Sequence, residues 1–114
     1  NPPYLLSPGN GNTLKELSNT GLPLGLHLFS VMDWETRSVR LAPGDMLVLY
    51  TDGVTEAQNA RAELYGEERL QALVRAQARG SAPAMQQHIL AAVARFRGDA
   101  PQVDDIALMV LVRA

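Results

Sequence analysis

The sequence predicts a mixed α/β (α+β) fold in which a pair of helices packs over a sheet. Three observations predict it. Met46 to Tyr50 is a continuous apolar run, too short for a helix and bounded by turn residues, so it reads as a buried strand. Ile106 to Val112 is a second run of that kind, entered directly from Asp104-Asp105. Between the two runs, residues 66–79 and 82–97 carry apolar side chains at helical spacing.

In chain order, residues 3–18 read as a hairpin. Tyr4-Leu5-Leu6 and Leu14-Lys15-Glu16-Leu17 flank Ser7-Pro8-Gly9-Asn10-Gly11-Asn12, a loop dense in turn formers with an Asn-Gly pair at its tip. Residues 21–25 form a Gly/Pro-punctuated bend. Residues 26–41 read as a second hairpin about Asp33-Trp34-Glu35-Thr36, with Val39 and Leu41 on its return strand. Trp34 reads as packing over a sheet edge, and His27 as structural, since no acid or second His stands near it.

The strand at 46–50 lacks any polar alternation, which predicts cover on both faces. Val54 to Asn59 is a short helical or irregular stretch. Gly66 to Arg79 is an amphipathic helix, with Glu67 and Glu68 in its first turn, Arg75 and Arg79 in its last, and a stripe of Leu70, Leu73 and Val74. Gly80 ends it and Ser81 caps the next helix, which tolerates Pro83 in its first turn. Met85, Ile89, Ala92, Val93 and Phe96 are that helix's core stripe, His88 stands beside it in solvent, and Gly98 stops it. Such a helix pair and a final strand pack as an antiparallel pair over a sheet.

Length and composition fit one globular domain: 114 residues, 46% hydrophobic. A net charge of −2, with the ten basic residues scattered, gives no patch for nucleic acid or an acidic membrane. There are no cysteines, hence no disulfide and no thiolate metal site, which fits a reducing, cytoplasmic setting. No apolar run is long enough to span a bilayer, so no membrane contact is expected in this segment. No repeat, low-complexity tract or interdomain linker is present.

The chemistry-bearing residues stand at the strand ends. One carboxylate, Asp52, leaves the strand at 46–50, and Asp104-Asp105 enter the strand at 106–112. If those strands are antiparallel neighbours, Asp52 and Asp104 share one end of the sheet. Converging carboxylates repel unless a positive charge lies between them, and a divalent ion with oxygen ligands answers that need. The bland reading is an Asp52-Gly53 turn capping one strand and an Asp104 or Asp105 turn opening the other. Gly53 permits positive φ or close backbone approach. Glu56 reads either as a group orienting water on a metal or as a solvated glutamate in a first helical turn.

Five ordered motifs carry a family resemblance. They are Leu41-Ala42-Pro43-Gly44-Asp45, Leu49-Tyr50-Thr51-Asp52-Gly53-Val54-Thr55-Glu56-Ala57, Tyr65-Gly66, Arg69-Leu70 and Pro101-Gln102-Val103-Asp104-Asp105-Ile106. Together with Asn1-Pro2-Pro3-Tyr4-Leu5-Leu6 and Gly21-Leu22-Pro23-Leu24-Gly25, this pattern resembles the PP2C-like metal-dependent serine/threonine phosphatases of the SpoIIE and RsbU branch. The resemblance covers nearly the whole chain. It implies a largely antiparallel β-sandwich with flanking helices. It also implies that residues 1–114 are the C-terminal part of a single phosphatase domain, apparently incomplete, because the family's N-terminal acidic motifs have no match here.

The same resemblance implies hydrolysis of phosphoserine or phosphothreonine with two Mn2+ or Mg2+ ions. Asp52 and Asp104 match carboxylate ligands, and Gly53 matches a position offering its backbone carbonyl. Asp105 and Glu56 match supporting positions around the ligands. Ala107 stands where the family commonly has Thr, which removes one supporting hydroxyl. The implied substrate is a phosphorylated STAS-type anti-sigma factor antagonist. The implied structural partner is the missing N-terminal half or a second copy of the chain, since half a sheet domain leaves strand edges open. With the N-terminal ligands absent, this segment alone is expected to be inactive. A non-catalytic regulatory or assembly module of the same fold is the alternative. A small-ligand sensor on a β-sandwich is a third reading, and would need an enclosed apolar pocket.

Overall fold

In the computed structural model, residues 2–9, 11, 13–17, 39–102 and 104–114 are described. The element order is β1 (Tyr4–Ser7), β2 (Thr13–Glu16), β3 (Met46–Tyr50), α1 (Asp52–Thr55), α2 (Gly66–Ala76), α3 (Ala82–Arg97) and β4 (Leu108–Val112). The four strands form one sheet in the order β2-β1-β3-β4, antiparallel at every pairing. This is the antiparallel sheet with flanking helices that the sequence predicts. Among the described residues there is one sheet, and a second sheet of a sandwich is not among them. The bend at 21–25, Trp34 and His27 lie outside the described residues. Of the expected second hairpin, Val39 and Leu41 are described, and neither is in a strand.

Register sets which face is core. Tyr4 lies opposite Val48, and Val48 opposite Val110, so Tyr4, Leu6, Met46, Val48 and Tyr50 point to one face together with Leu108, Val110 and Val112. The helices cover that face. Leu70, Val74, Met85, Ile89 and Val93 are fully buried against it, with Leu73, Ala92 and Phe96 partly buried. The rings of Tyr4 and Tyr50 lie 5.1 Å apart within this core.

The opposite face departs from the expectation of two buried strands. Leu47 and Leu49 are only half-buried, while Met109 and Leu111 are 63% and 50% exposed. The cause is positional. β4 has one strand neighbour among the described residues, and the helices cover only the side bearing Leu108, Val110 and Val112. A residue one step along a strand faces the other way.

Helix limits follow local chemistry. Ser81 Oγ accepts the Ala84 N–H at 3.2 Å, the cap read from sequence. α2 ends at Ala76, three residues before the predicted Arg79, because the Ala78 and Gly80 N–H groups turn back to carbonyls three residues earlier. Such tight turns close a helix without a breaker. No helix among the described residues is long and apolar enough to cross a membrane.

Candidate active site

β3 and β4 are antiparallel neighbours, with Tyr50 opposite Leu108. One step further, the Thr51 N–H donates to the Ala107 carbonyl at 3.1 Å and the Ala107 N–H donates to Thr51 Oγ1 at 3.0 Å. The Thr51 hydroxyl also lies 3.3 Å from the Asp105 carbonyl and 3.4 Å from that of Ala107. Thr51 therefore clasps the segment leaving β3 to the segment entering β4. Asp52, the first residue of α1, and Asp104 are set at the same end of the sheet, both exposed. Ala107 joins the clasp through its main chain, which needs no side-chain hydroxyl.

Gly53 is where the two segments meet. A Cβ built there would overlap the Asp105 carbonyl oxygen and lie 2.7 Å from its carbon and 3.2 Å from Ile106 Cα. Glycine is required by this close approach. Asp105 thus contributes its backbone: its carbonyl packs on Gly53, and its N–H donates to Asp104 Oδ1 at 2.8 Å. Glu56 is exposed and follows α1, its N–H donating to the Asp52 carbonyl at 2.7 Å. Gly53, Glu56, Arg97, Gln102 and Asp104 line one groove, and Asp52 is not among its lining residues.

The donor chemistry of Asp52 and Asp104 suits a hard cation, because exposed carboxylate oxygens are what Mn2+ and Mg2+ take. No group of three or more His, Cys, Asp or Glu side chains is close enough to hold a metal ion among the described residues.

The remaining motif residues make structural contacts outside this groove. Arg69 donates to the Leu64 and Tyr65 carbonyls at 2.6 and 3.0 Å, and its guanidinium lies 4.5 Å over the Phe96 ring. Tyr65 meets Phe96 edge-on at 5.5 Å, and Gly66, at φ +82°, turns the chain into α2. Asp45, at the far end of β3, is buried and its Oδ2 accepts the Ala42 N–H at 2.9 Å. Leu41 to Asp45 is thus a structural turn. Sequence reasoning missed Thr51, Arg97 and Gln102. For Thr51 a signal existed, a β-branched hydroxyl residue directly before the acid.

The family described as Stage II sporulation protein E (SpoIIE) matches residues 1–114. The fold is similar to the SiaA-PP2C domain of Pseudomonas aeruginosa, with a TM-score of 0.73 and 25% identity over 99% of this chain and 42% of that one. It is also similar to the phosphatase domain of the cell fate determinant SpoIIE from Bacillus subtilis (Mn presoaked), with a TM-score of 0.61 and 17% identity over 99% of this chain and 46% of that one. Protein IcfG from Synechocystis is 39% identical over 54 residues, 47% of this chain and 8% of that protein. The chain thus spans less than half the length of these solved structures and a small part of IcfG. Matched along its whole length, and folded as the phosphatase domains are, the chain belongs to the SpoIIE family of PP2C-like phosphatase domains.

Proposed function

We propose that the chain is the C-terminal part of a metal-dependent protein serine/threonine phosphatase domain in bacterial signalling. Its proposed substrate is a phosphorylated STAS-type anti-sigma factor antagonist, and its proposed setting is the cytoplasm. The observation that supports this reading is the meeting of the Asp52 and Asp104 segments at one sheet end, joined by Thr51 and Ala107.

Asp52 and Asp104 would hold Mn2+ or Mg2+ with their carboxylates, and Gly53 would offer its carbonyl. When bound, two such ions acidify water, neutralise the phosphoryl group and stabilise in-line displacement. The chain's own residues do the placing. Thr51 fixes the spacing of the two carboxylate segments, and the Asp105 peptide N–H orients Asp104. Glu56, on the same groove, is the group proposed to orient the attacking water. The exposed Met109 and Leu111 face is where the rest of the domain, or a second copy of the chain, would pack.

The test is phosphate release by the full-length gene product from a phosphorylated STAS-domain protein with Mn2+. Asp52→Asn and Asp104→Asn are each expected to lower kcat by about 10²-fold or more, the scale set by losing electrostatic groups in an active site. The segment of residues 1–114 alone is expected to release none. Full activity in both variants would refute the ligand assignment. No turnover by the intact protein would favour the non-catalytic module.

A further inference from the structure

Arg97 is the last residue of α3 and shares its final turn with Arg95. A basic residue there ordinarily complements the helix dipole from solvent. Arg97 is placed differently. It is half-buried, its Nε is shut off from solvent without a hydrogen-bond partner, and its Nη1 donates to Gln102 Oε1 at 3.1 Å. Burying an unsatisfied charged donor costs free energy, which a merely dipole-complementing arginine would avoid by staying hydrated.

Gln102 is engaged at both ends. Its Oε1 accepts from Arg97, and its Nε2 donates to the Asp104 carbonyl at 3.0 Å. Guanidinium is donor-only and a carbonyl is acceptor-only, so a carboxamide is suited to bridge them. The Asp104 carbonyl and the Asp105 N–H are the two ends of one planar peptide group. Holding the carbonyl therefore aims the N–H, and that N–H binds Asp104 Oδ1 at 2.8 Å. The contacts run unbroken from the end of α3 to the carboxylate.

We infer that Arg97 and Gln102 are positioning residues: a strut from the C-terminus of α3 that sets the direction of the Asp104 carboxylate. The inference rests on the proposed role of Asp104 as a metal ligand. It assigns the strut to metal affinity and leaves substrate recognition to other groups.

The experiment uses the full-length gene product. Mn2+ binding is followed by the electron paramagnetic resonance signal of free Mn2+, with kcat and KM measured on a phosphorylated STAS-domain protein. Gln102→Met keeps the side-chain volume and removes both hydrogen bonds. It is expected to weaken Mn2+ binding about tenfold, the low end for groups that hold a metal ligand. Arg97→Met should weaken binding similarly, Arg97→Lys less, and the double variant no more than Gln102→Met alone, because both cut one strut. At saturating Mn2+, KM should match wild type. Gln102 is exposed, so the thermal midpoint without metal should not move.

Wild-type Mn2+ binding in both single variants would overturn the strut, as would additive losses. A raised KM with unchanged Mn2+ binding would also overturn it, and would make Arg97 a substrate contact. Asp104→Asn in the same titration separates the two levels. If it abolishes binding while Gln102→Met does not weaken it, only the strut falls. If it leaves binding at wild type, the ligand assignment falls and the strut with it.

Discussion

Replacing Gly53 by alanine sets two physical tendencies against each other. Gly53 lies inside α1, and Gly→Ala in a helix is ordinarily stabilising by about 1 kcal/mol. Here the new methyl would sit 2.7 Å from the Asp105 carbonyl carbon. Ordinary carbon–carbon contact is about 3.5–4.0 Å, so the segments must part by roughly 1 Å. What blocks the methyl is backbone, and it cannot swing aside as a flexible side chain would. The separation would stretch the Thr51–Ala107 pairing at 3.0 and 3.1 Å and pull Asp52 away from Asp104. Overpacking of this kind costs about 1–3 kcal/mol, enough to outweigh the propensity gain. A misplacement near 1 Å can lower catalysis by about 10²-fold. Thermal unfolding and phosphate release by the full-length product check both. We expect Gly53→Ala to lower the melting point of the domain by several degrees and to lose most activity. A variant as stable as wild type, with unchanged turnover, would refute the close-approach argument.

Two further outcomes are expected. The Tyr50 hydroxyl is buried, and burial first, then the neighbouring Tyr4 hydroxyl, pushes its pKa above the ordinary tyrosine range. The folded state then holds this proton more tightly than the unfolded one. Its contribution is fully present below the unfolded pKa of about 10 and is lost as pH rises beyond it. Tyr50→Phe should leave stability at pH 8 unchanged or slightly higher, and should shrink the loss between pH 8 and 11 in urea unfolding. Ser81→Ala removes the acceptor for the Ala84 N–H and should cost about 1 kcal/mol by urea unfolding, with Ser81→Asp restoring most of it.

Legibility in the sequence followed the range of the interactions. β3 and α3 were readable because short apolar runs and helical periodicity are local, and both occur within the limits their flanking residues suggest. The Asp52-Gly53 stop was readable for the same reason. Leu108 to Val112 was misleading: five apolar residues without alternation look the same whether one or two faces are covered, and only register shows Met109 and Leu111 turned outward. The end of α2 was misjudged because no breaker precedes Gly80, while the turn there closes through backbone bonds alone. Asp52 and Asp104 could be paired only on the condition that β3 and β4 are neighbours. The Thr51 clasp, and the link from Arg97 through Gln102, depend on tertiary placement that no local pattern encodes.

The clasp spans 54 residues from Thr51 to Asp105, with both long helices inside the loop it closes. Closing so long a loop is entropically slow and must precede any reward from the contacts it makes. On the ribosome, β3 and the helices emerge well before β4. The two acidic segments can meet only once β4 has cleared the exit tunnel and paired. A nascent chain therefore passes through a long interval with its apolar strands made and its candidate catalytic centre unassembled.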